Sequence, residues 1–119
     1  MNGTLEKNMQ RVRELLDKPE IFCQLVEECD ELGQAAMKLR RAITRINPTP
    51  MTEAEAWRNL TIEIADVMGC LKVLQIETDT EEIQDIQEYK MDRWVRRIEE
   101  ERQKQARMEK MLQETEGES

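Results

Sequence analysis

Histidine is absent from this chain of 119 residues, and its absence excludes several kinds of active site. Without an imidazole there is no His-ligated zinc, no Ser–His or Cys–His nucleophilic pair and no Glu-x-x-His di-iron site. The three cysteines, Cys23, Cys29 and Cys70, contain no C-x-x-C pair and form neither a zinc knuckle nor a disulfide framework. Any chemistry therefore falls to carboxylates, amines, guanidiniums, thiols or hydroxyls.

Basic residues and long apolar runs are also scarce. The 18 Lys and Arg are outnumbered by 26 Asp and Glu, giving a net charge of −8. This balance disfavours nucleic-acid binding, which needs a basic surface. No run of apolar residues approaches the length of a membrane span, and no apolar leader segment opens the sequence. We expect a cytoplasmic protein with neither a nucleic-acid nor a membrane partner.

Glycine and proline are few, at four and three residues, and strong helix formers dominate between them. The sequence therefore predicts an all-α fold. The predicted helices cover about residues 5–16, 20–44, 53–76 and 81 to beyond 107. Pro19 and the Asn47-Pro48-Thr49-Pro50 segment separate helices, and Thr52 to Glu55 reads as a capping box. We expect a single domain over 1–112 and a frayed polar tail over 113–119.

The second and third predicted helices carry the same pattern, L-x-x-E-x-x-[DE]-[LV], displaced by 35 residues. The matched pairs include Leu25 with Leu60, Glu28 with Glu63, Glu31 with Asp66, and Leu32 with Val67. We expect these two helices to pack as pseudo-equivalents. Gly33 and Gly69 interrupt them, and close helix–helix approach is the predicted reason.

Four acidic residues lie on one flank of the apolar stripes of these helices. At about 100° per residue, Glu28 and Glu31 lie about 60° and 120° from Leu25, and Glu63 and Asp66 take the same offsets from Leu60. The predicted stripes contain Phe22, Cys29, Leu32, Ala36, Leu39 and Ile43 on one helix, and Trp57, Ile64, Val67, Leu71 and Leu74 on the other. If the stripes face each other in antiparallel helices, the four carboxylates converge.

Converging carboxylates need a counter-charge, because two of them about 4 Å apart repel by roughly 4 kcal/mol at an effective dielectric constant near 20. Hard divalent cations such as Mg²⁺ and Mn²⁺ prefer ligand sets made only of oxygen. The alternative is that these residues are solvated carboxylates beside a core stripe, since E-x-x-E is common.

The fourth helix carries cations on its apolar stripe, which is predicted to face inward. Ile83, Ile86, Trp94 and Arg97 lie within about 40° of Lys90, and Arg93 lies within about 60°. Lys90, Arg93 and Arg97 either reach an anion such as a polyphosphate or extend past the apolar side chains to solvent. Phe22 and Trp57 are predicted to pack in the core, with base stacking as the alternative.

The motifs together resemble a known family. Glu27 to Glu31 reads E-E-x-x-E, Glu63 to Asp66 reads E-x-x-D, and Lys90-x-x-Arg93 follows. Over about residues 23–98 the chain resembles the small, single-domain MazG-like nucleoside triphosphate pyrophosphohydrolases. The resemblance implies a four-helix-type bundle, assembled as a dimer or tetramer, that hydrolyses (d)NTPs to the monophosphate and pyrophosphate with Mg²⁺ or Mn²⁺. The gap between Glu31 and Glu63 is longer than usual for the family.

The resemblance also implies roles for individual residues. Glu28, Glu31, Glu63 and Asp66 would hold the metal. Glu27 or Glu31 would accept a proton from a metal-activated water that attacks the α-phosphorus, although the helical angle turns Glu27 away from the other acids. Phosphates would contact Lys90, Arg93 and Arg97, and Phe22 and Trp57 would be the candidates for the base.

Two other functions remain open from the sequence. One is a helical or coiled-coil interaction module, which the long fourth helix would suit. The other is a related all-α pyrophosphohydrolase with a narrower substrate, such as dUTP or phosphoribosyl-ATP.

Overall fold

Four α-helices make up the described part of the protein. A computed structural model describes residues 2–47 and 50–117, and no strand occurs among them, so the all-α prediction is confirmed. The helices are α1 (Asn2–Leu15), α2 (Lys18–Thr44), α3 (Glu53–Val73) and α4 (Glu81–Gly117). Within the predicted break between α2 and α3, Pro48 and Thr49 lie outside the described residues.

The chain divides into two compact units. The first ends at Glu77 and contains α1, α2 and α3, and the second begins at Thr78 and contains α4. This boundary falls inside the region 1–112 that the sequence predicts as one domain. No helix within 2–47 or 50–117 is long and apolar enough to cross a membrane.

Side-chain caps fix the starts of the helices. Asp17 accepts a hydrogen bond from the Glu20 N–H (3.1 Å) at the start of α2. Thr52 caps α3, since its Oγ1 accepts from the Glu55 N–H (3.2 Å) and donates to Glu55 Oε1 (3.0 Å). The predicted start of α3 is therefore confirmed, because these bonds satisfy N–H groups that have no partner within the helix.

The ends of α3 and α4 differ from the prediction. Gln75, after α3, takes a left-handed conformation (φ 59°) and donates to the Lys72 carbonyl, while the Ile76 N–H bonds the Leu71 carbonyl, both at 2.9 Å. This is a Schellman ending, and it stops α3 before the predicted Ile76. In contrast, α4 continues to Gly117, so residues 113–117 of the predicted frayed tail are helical. Residues 118–119 lie outside the described part.

The helices α2 and α3 pack along inner residues spaced alternately by three and four positions. On α2 these are Ile21, Leu25, Glu28, Leu32, Ala35, Leu39 and Ala42. On α3 they are Ala56, Leu60, Glu63, Val67 and Cys70, followed by Leu74 at the C-cap, and all of these residues are buried or half-buried. This heptad spacing is typical of helices that cross at a shallow angle. Leu39 and Ala42, near the end of α2, share a buried cluster with Ala56 at the start of α3, so the pair is antiparallel.

The packing face of α2 is rotated from the predicted one. Ile21 and Ala35 are only 4% and 5% exposed, whereas the predicted core residues Phe22 and Ile43 are 47% and 51% exposed. The buried face is therefore centred near Glu28 instead of Leu25. The prediction failed because α2 is apolar on more than one side, so the average direction of its apolar residues does not mark the side that packs.

The same correction applies to α3. Ala56 is completely buried, whereas Trp57 and Ile64, which the sequence assigns to the core stripe, are 52% and 42% exposed. Small alanines at the contact let the helix backbones approach, and the larger side chains beside them remain outside. The heptad positions on the two helices still match under the 35-residue shift, which confirms their predicted pseudo-equivalence.

A long-range polar contact joins α1 to α3. Arg13, in the last turn of α1, donates from its guanidinium to the carbonyls of Lys72 (3.4 Å) and Val73 (3.2 Å). These carbonyls lie at the C-terminal end of α3, where the Lys72 carbonyl also accepts from Gln75, and a cation is favourable at this negative end of the helix dipole. Met9, on the same helix as Arg13, is buried.

Two further predictions are corrected. Apart from the glycine's chain neighbours and the nearby backbone of its own helix, no described atom lies within 4 Å of a Cβ built on Gly33 or Gly69, so close helix approach does not explain either glycine. On α4, none of residues 81–117 is buried, and Trp94 is 53% exposed. The stripe that carries Lys90 is therefore exposed and not inward, because the second unit offers that helix no neighbour of its own.

Candidate metal centre

Four carboxylates meet between α2 and α3. Glu28 and Glu31 come from α2, and Glu63 and Asp66 come from α3. One oxygen from each of the four lies within 4.8 Å of the corresponding oxygen of every other. We call this group the acid cluster. The sequence predicts this convergence, and the structure brings the same four residues together.

The heptad pattern explains why the acid cluster forms here. Glu28 and Glu63 occupy inner positions where the other members are leucine, isoleucine, valine, alanine or cysteine. Each is therefore held half-buried against the opposite helix. Glu31 and Asp66 follow three positions later, on the same side of their helices but at the exposed edge. The cluster thus has two inner and two outer carboxylates.

The inner carboxylates each have an oxygen without a partner. Glu28 Oε2 and Glu63 Oε2 are buried, and neither has a hydrogen-bond partner among the described residues. The other oxygen of Glu28 accepts a hydrogen bond from Gln24 Nε2 at 2.7 Å. A buried charged oxygen that is neither paired nor hydrated carries a large desolvation cost. A cation bound between the two helices would give both atoms a partner.

The electrostatics of Glu31 reflect the same shortage of positive charge. The nearby carboxylates of Glu28 and Glu63 raise the pKa of Glu31, with a smaller contribution from desolvation. A protonated Glu31 can also donate a hydrogen bond to either neighbour, which raises its pKa further. An ionised carboxylate is only an acceptor, so the fully charged cluster contains no donor of its own.

The chemistry of the donor set fits a hard divalent cation. All four candidate ligands are carboxylates, and the two buried orphan oxygens are ready to coordinate. Such a set suits Mg²⁺ or Mn²⁺ better than metals that prefer nitrogen or thiolate ligands. Burial, with Glu28 and Asp66 nearby, raises the pKa of the Cys70 thiol, and Cys70 is not a member of the acid cluster.

The other predicted site residues lie outside the acid cluster. Glu27 is exposed on α2 and does not join the four carboxylates. Phe22 and Trp57 are about half exposed in the first unit. The three predicted phosphate contacts, Lys90, Arg93 and Arg97, lie on α4 in the second unit, where all three are exposed. Their spacing puts them on one face of that helix.

Sequence reasoning missed two polar residues of the first unit. Gln24 lies one turn before Glu28 and bonds it, and that i, i+4 spacing was the available signal. Arg13 bonds the end of α3, which lies 59 and 60 residues further along the chain. No local pattern predicts that contact.

Comparisons of the chain with protein-family models, with curated proteins and with solved structures gave no match. The acid cluster and the motifs that contain its residues are therefore the main indications of function within the described residues.

Proposed function

We propose that the acid cluster binds Mg²⁺ or Mn²⁺ and that the protein hydrolyses nucleoside triphosphates to the monophosphate and pyrophosphate. The observation that carries the proposal is the pair of buried, unpartnered oxygens on Glu28 and Glu63 within a cluster of four carboxylates. The reaction is inferred from the E-E-x-x-E and E-x-x-D motifs, which resemble those of the MazG-like pyrophosphohydrolases.

The four carboxylates divide into two roles in this proposal. Glu28 and Glu63 would supply their buried oxygens as ligands, and Asp66 and Glu31 would complete the set from the exposed edge. When bound, a divalent cation would offset the charge of the phosphates and lower the pKa of a water molecule. Gln24 holds Glu28 through its Oε1 and leaves Oε2 as the ligand atom.

Glu31 is our candidate for the proton acceptor. The resemblance leaves Glu27 and Glu31 as alternatives, and the geometry favours Glu31, because Glu27 lies outside the cluster. Glu31 is exposed, so its carboxylate can take a proton from an attacking water and pass it to solvent.

Phosphate binding and self-association complete the proposal. Lys90, Arg93 and Arg97, which are exposed on one face of α4, would contact the phosphates, as the resemblance implies. Large apolar side chains such as Phe22, Trp57 and Trp94 are about half exposed in a single copy. Assembly as a dimer or tetramer would cover such residues.

Hydrolysis in ¹⁸O-labelled water tests the proposed reaction. Wild type, Glu63→Gln and the control Asp30→Asn are incubated with Mn²⁺ and a panel that includes the dNTPs, dUTP and phosphoribosyl-ATP. We expect pyrophosphate as a product, label in the monophosphate, loss of activity in Glu63→Gln and retention in Asp30→Asn. No pyrophosphate from any substrate, or equal activity in Glu63→Gln, would overturn the proposal.

A helical interaction module is the second candidate function. It is favoured by α4, whose residues 81–117 include no buried side chain and several exposed apolar ones, among them Tyr89 and Met111. The labelled-water experiment separates the two, because an interaction module yields no pyrophosphate and is insensitive to Glu63→Gln. Selective turnover of dUTP or phosphoribosyl-ATP would instead identify the narrower enzyme.

A further inference from the structure

A cavity adjoins the acid cluster within the first unit. Its volume is about 310 Å³, and side chains from α1, α2 and α3 line it. Glu28 and Asp66 belong both to this cavity and to the acid cluster. The cavity is therefore continuous with the proposed metal site.

The remaining lining is almost entirely apolar. Met9 and Val12 of α1 and Leu16 just after it form one wall, and Gln24 is the polar residue beyond the two shared acids. No Lys or Arg is among the lining residues of this cavity. Away from the acid cluster, no cationic side chain of the lining would offset the charge of a phosphate group, so this cavity is unsuited to the triphosphate itself. The cavity therefore suits an uncharged group that has apolar faces for the wall and a few polar atoms for Gln24 and the shared acids.

Gly69 gives independent reason to regard this space as a binding site. A glycine inside a helix costs stability relative to alanine, and beyond the chain neighbours and the nearby helix backbone no described atom lies within 4 Å of a Cβ added at Gly69. Packing therefore gives no reason for the missing side chain. Gly69 lines the cavity, so any side chain there would occupy the space beside Glu28 and Asp66.

We propose that this cavity is the subsite for the nucleoside part of the substrate, with the base seated over Gly69 against the apolar wall of α1. The inference rests on the proposed function, which places the triphosphate at the acid cluster. A volume of about 310 Å³ lies at the lower end of the range for ligand pockets, roughly 300–1,000 Å³, which suits a single base with its sugar.

The chemistry of the lining indicates how the base is held. Met9 supplies an adaptable thioether, and Val12 and Leu16 supply branched aliphatic groups, so contact with the flat faces of a base is apolar and not aromatic stacking. Gln24 donates from Nε2 to Glu28. The side-chain oxygen of Gln24 can accept a hydrogen bond from an N–H of the base. Phe22 and Trp57 have no part in this lining.

The test fills the cavity and uses the second helical glycine as the matched control. Gly69→Leu places a side chain in the cavity. Gly33→Leu adds the same side chain at an exposed position of α2, where a Cβ also has no described neighbour within 4 Å apart from its chain neighbours and the nearby helix backbone. Gly69→Ala is a milder second variant. Calorimetry with Mn²⁺ present measures the affinity of each protein for two probes. One is a non-hydrolysable dNTP analogue, and the other is inorganic tripolyphosphate, which has no nucleoside.

We expect Gly69→Leu to weaken binding of the analogue by about tenfold or more while leaving tripolyphosphate unchanged. Gly33→Leu should match wild type with both probes, and Gly69→Ala should lie between. In protein with labelled methionine methyl groups, the Met9 signal should shift on adding the analogue to wild type but not to Gly69→Leu.

Two results would overturn the inference, and they are distinguishable. If wild type binds both probes but Gly69→Leu behaves like Gly33→Leu, the cavity is not the nucleoside subsite and the proposed function stands. If wild type with Mn²⁺ binds neither probe, the proposed function itself fails and the subsite fails with it.

Discussion

Glu28 and Glu63 occupy equivalent inner positions of two antiparallel helices, and each has one buried carboxylate oxygen with no partner among the described residues. At these positions their heptad neighbours are apolar. A hydrophobic residue there would pack without an electrostatic cost, so two facing carboxylates weaken the metal-free helix pair. A bound cation that is coordinated by the two carboxylates would offset this cost. The stability of the metal-free protein is therefore the first property to test.

The first prediction concerns the stability of the metal-free protein. Replacing Glu63 by Gln removes one negative charge from the acid cluster and keeps the shape of the side chain. In EDTA, we expect Glu63→Gln to raise the free energy of unfolding by on the order of 1 kcal/mol, measured by urea denaturation. Asp30→Asn removes an exposed charge from α2 and should change little. A loss of stability in Glu63→Gln would show that the two inner acids do not repel.

The second prediction concerns pH. Because Glu28 and Glu63 raise the pKa of Glu31, the native protein binds a proton that the unfolded chain has released. Between the ordinary pKa of 4.5 in the unfolded chain and the raised pKa in the native protein, the free energy of unfolding must fall as pH rises. Below this range both states are protonated, and above it both are ionised, so the slope disappears at each end.

Urea midpoints measured in EDTA from about pH 4 to 7 test this slope. The difference between wild type and Glu31→Gln isolates Glu31, because the contributions of the other acids largely cancel. We expect wild type to lose stability relative to Glu31→Gln as pH rises. A constant difference across the range would contradict the raised pKa.

The third prediction concerns the link between α1 and α3. Arg13→Gln removes the cation that bonds the Lys72 and Val73 carbonyls, and we expect a loss of about 1–2 kcal/mol. Hydrogen exchange should show reduced protection of α1. Arg11→Gln is the control, since Arg11 makes an exposed pair with Glu14 in its own helix, worth no more than about 0.5 kcal/mol. Equal effects of the two variants would mean that Arg13 does not hold α1.

The fourth prediction concerns the two helical glycines. Because an added Cβ at Gly33 or Gly69 has no described atom within 4 Å beyond its chain neighbours and the nearby helix backbone, alanine should be accommodated at both. We expect Gly33→Ala and Gly69→Ala each to raise the free energy of unfolding by up to about 1 kcal/mol, measured by thermal or urea denaturation. Destabilisation by either alanine would restore close packing as the reason for that glycine.

The sequence predicts the helices and the convergence of the four acids because both depend on short-range order. The scarcity of glycine and proline, the Thr52 cap and the 35-residue repeat are all visible in the linear sequence. The shift of 35 residues equals five heptads, so equivalent residues such as Glu28 and Glu63 occupy the same heptad position on their helices. This holds whichever face of each helix packs against the other. The convergence therefore did not require the correct packing face.

The packing face itself was not predictable in the same way. Phe22 and Ile43 give α2 a second apolar side, and large exposed residues outweigh Ala35 and Ala42 in any average of hydrophobicity. The small residues form the packed face because they allow the helix backbones to approach each other. The role of Arg13 was equally invisible, since its partners are backbone carbonyls distant in the chain.

Binding of Mn²⁺ measured by calorimetry tests the central claim most directly. We expect wild type to bind, Glu28→Gln and Glu63→Gln to bind at least about tenfold more weakly, and Asp30→Asn and Glu27→Gln to match wild type. The last two variants remove the same charge from the same helix outside the acid cluster. If all five proteins bind Mn²⁺ equally, or if none binds it, the acid cluster is not a metal centre.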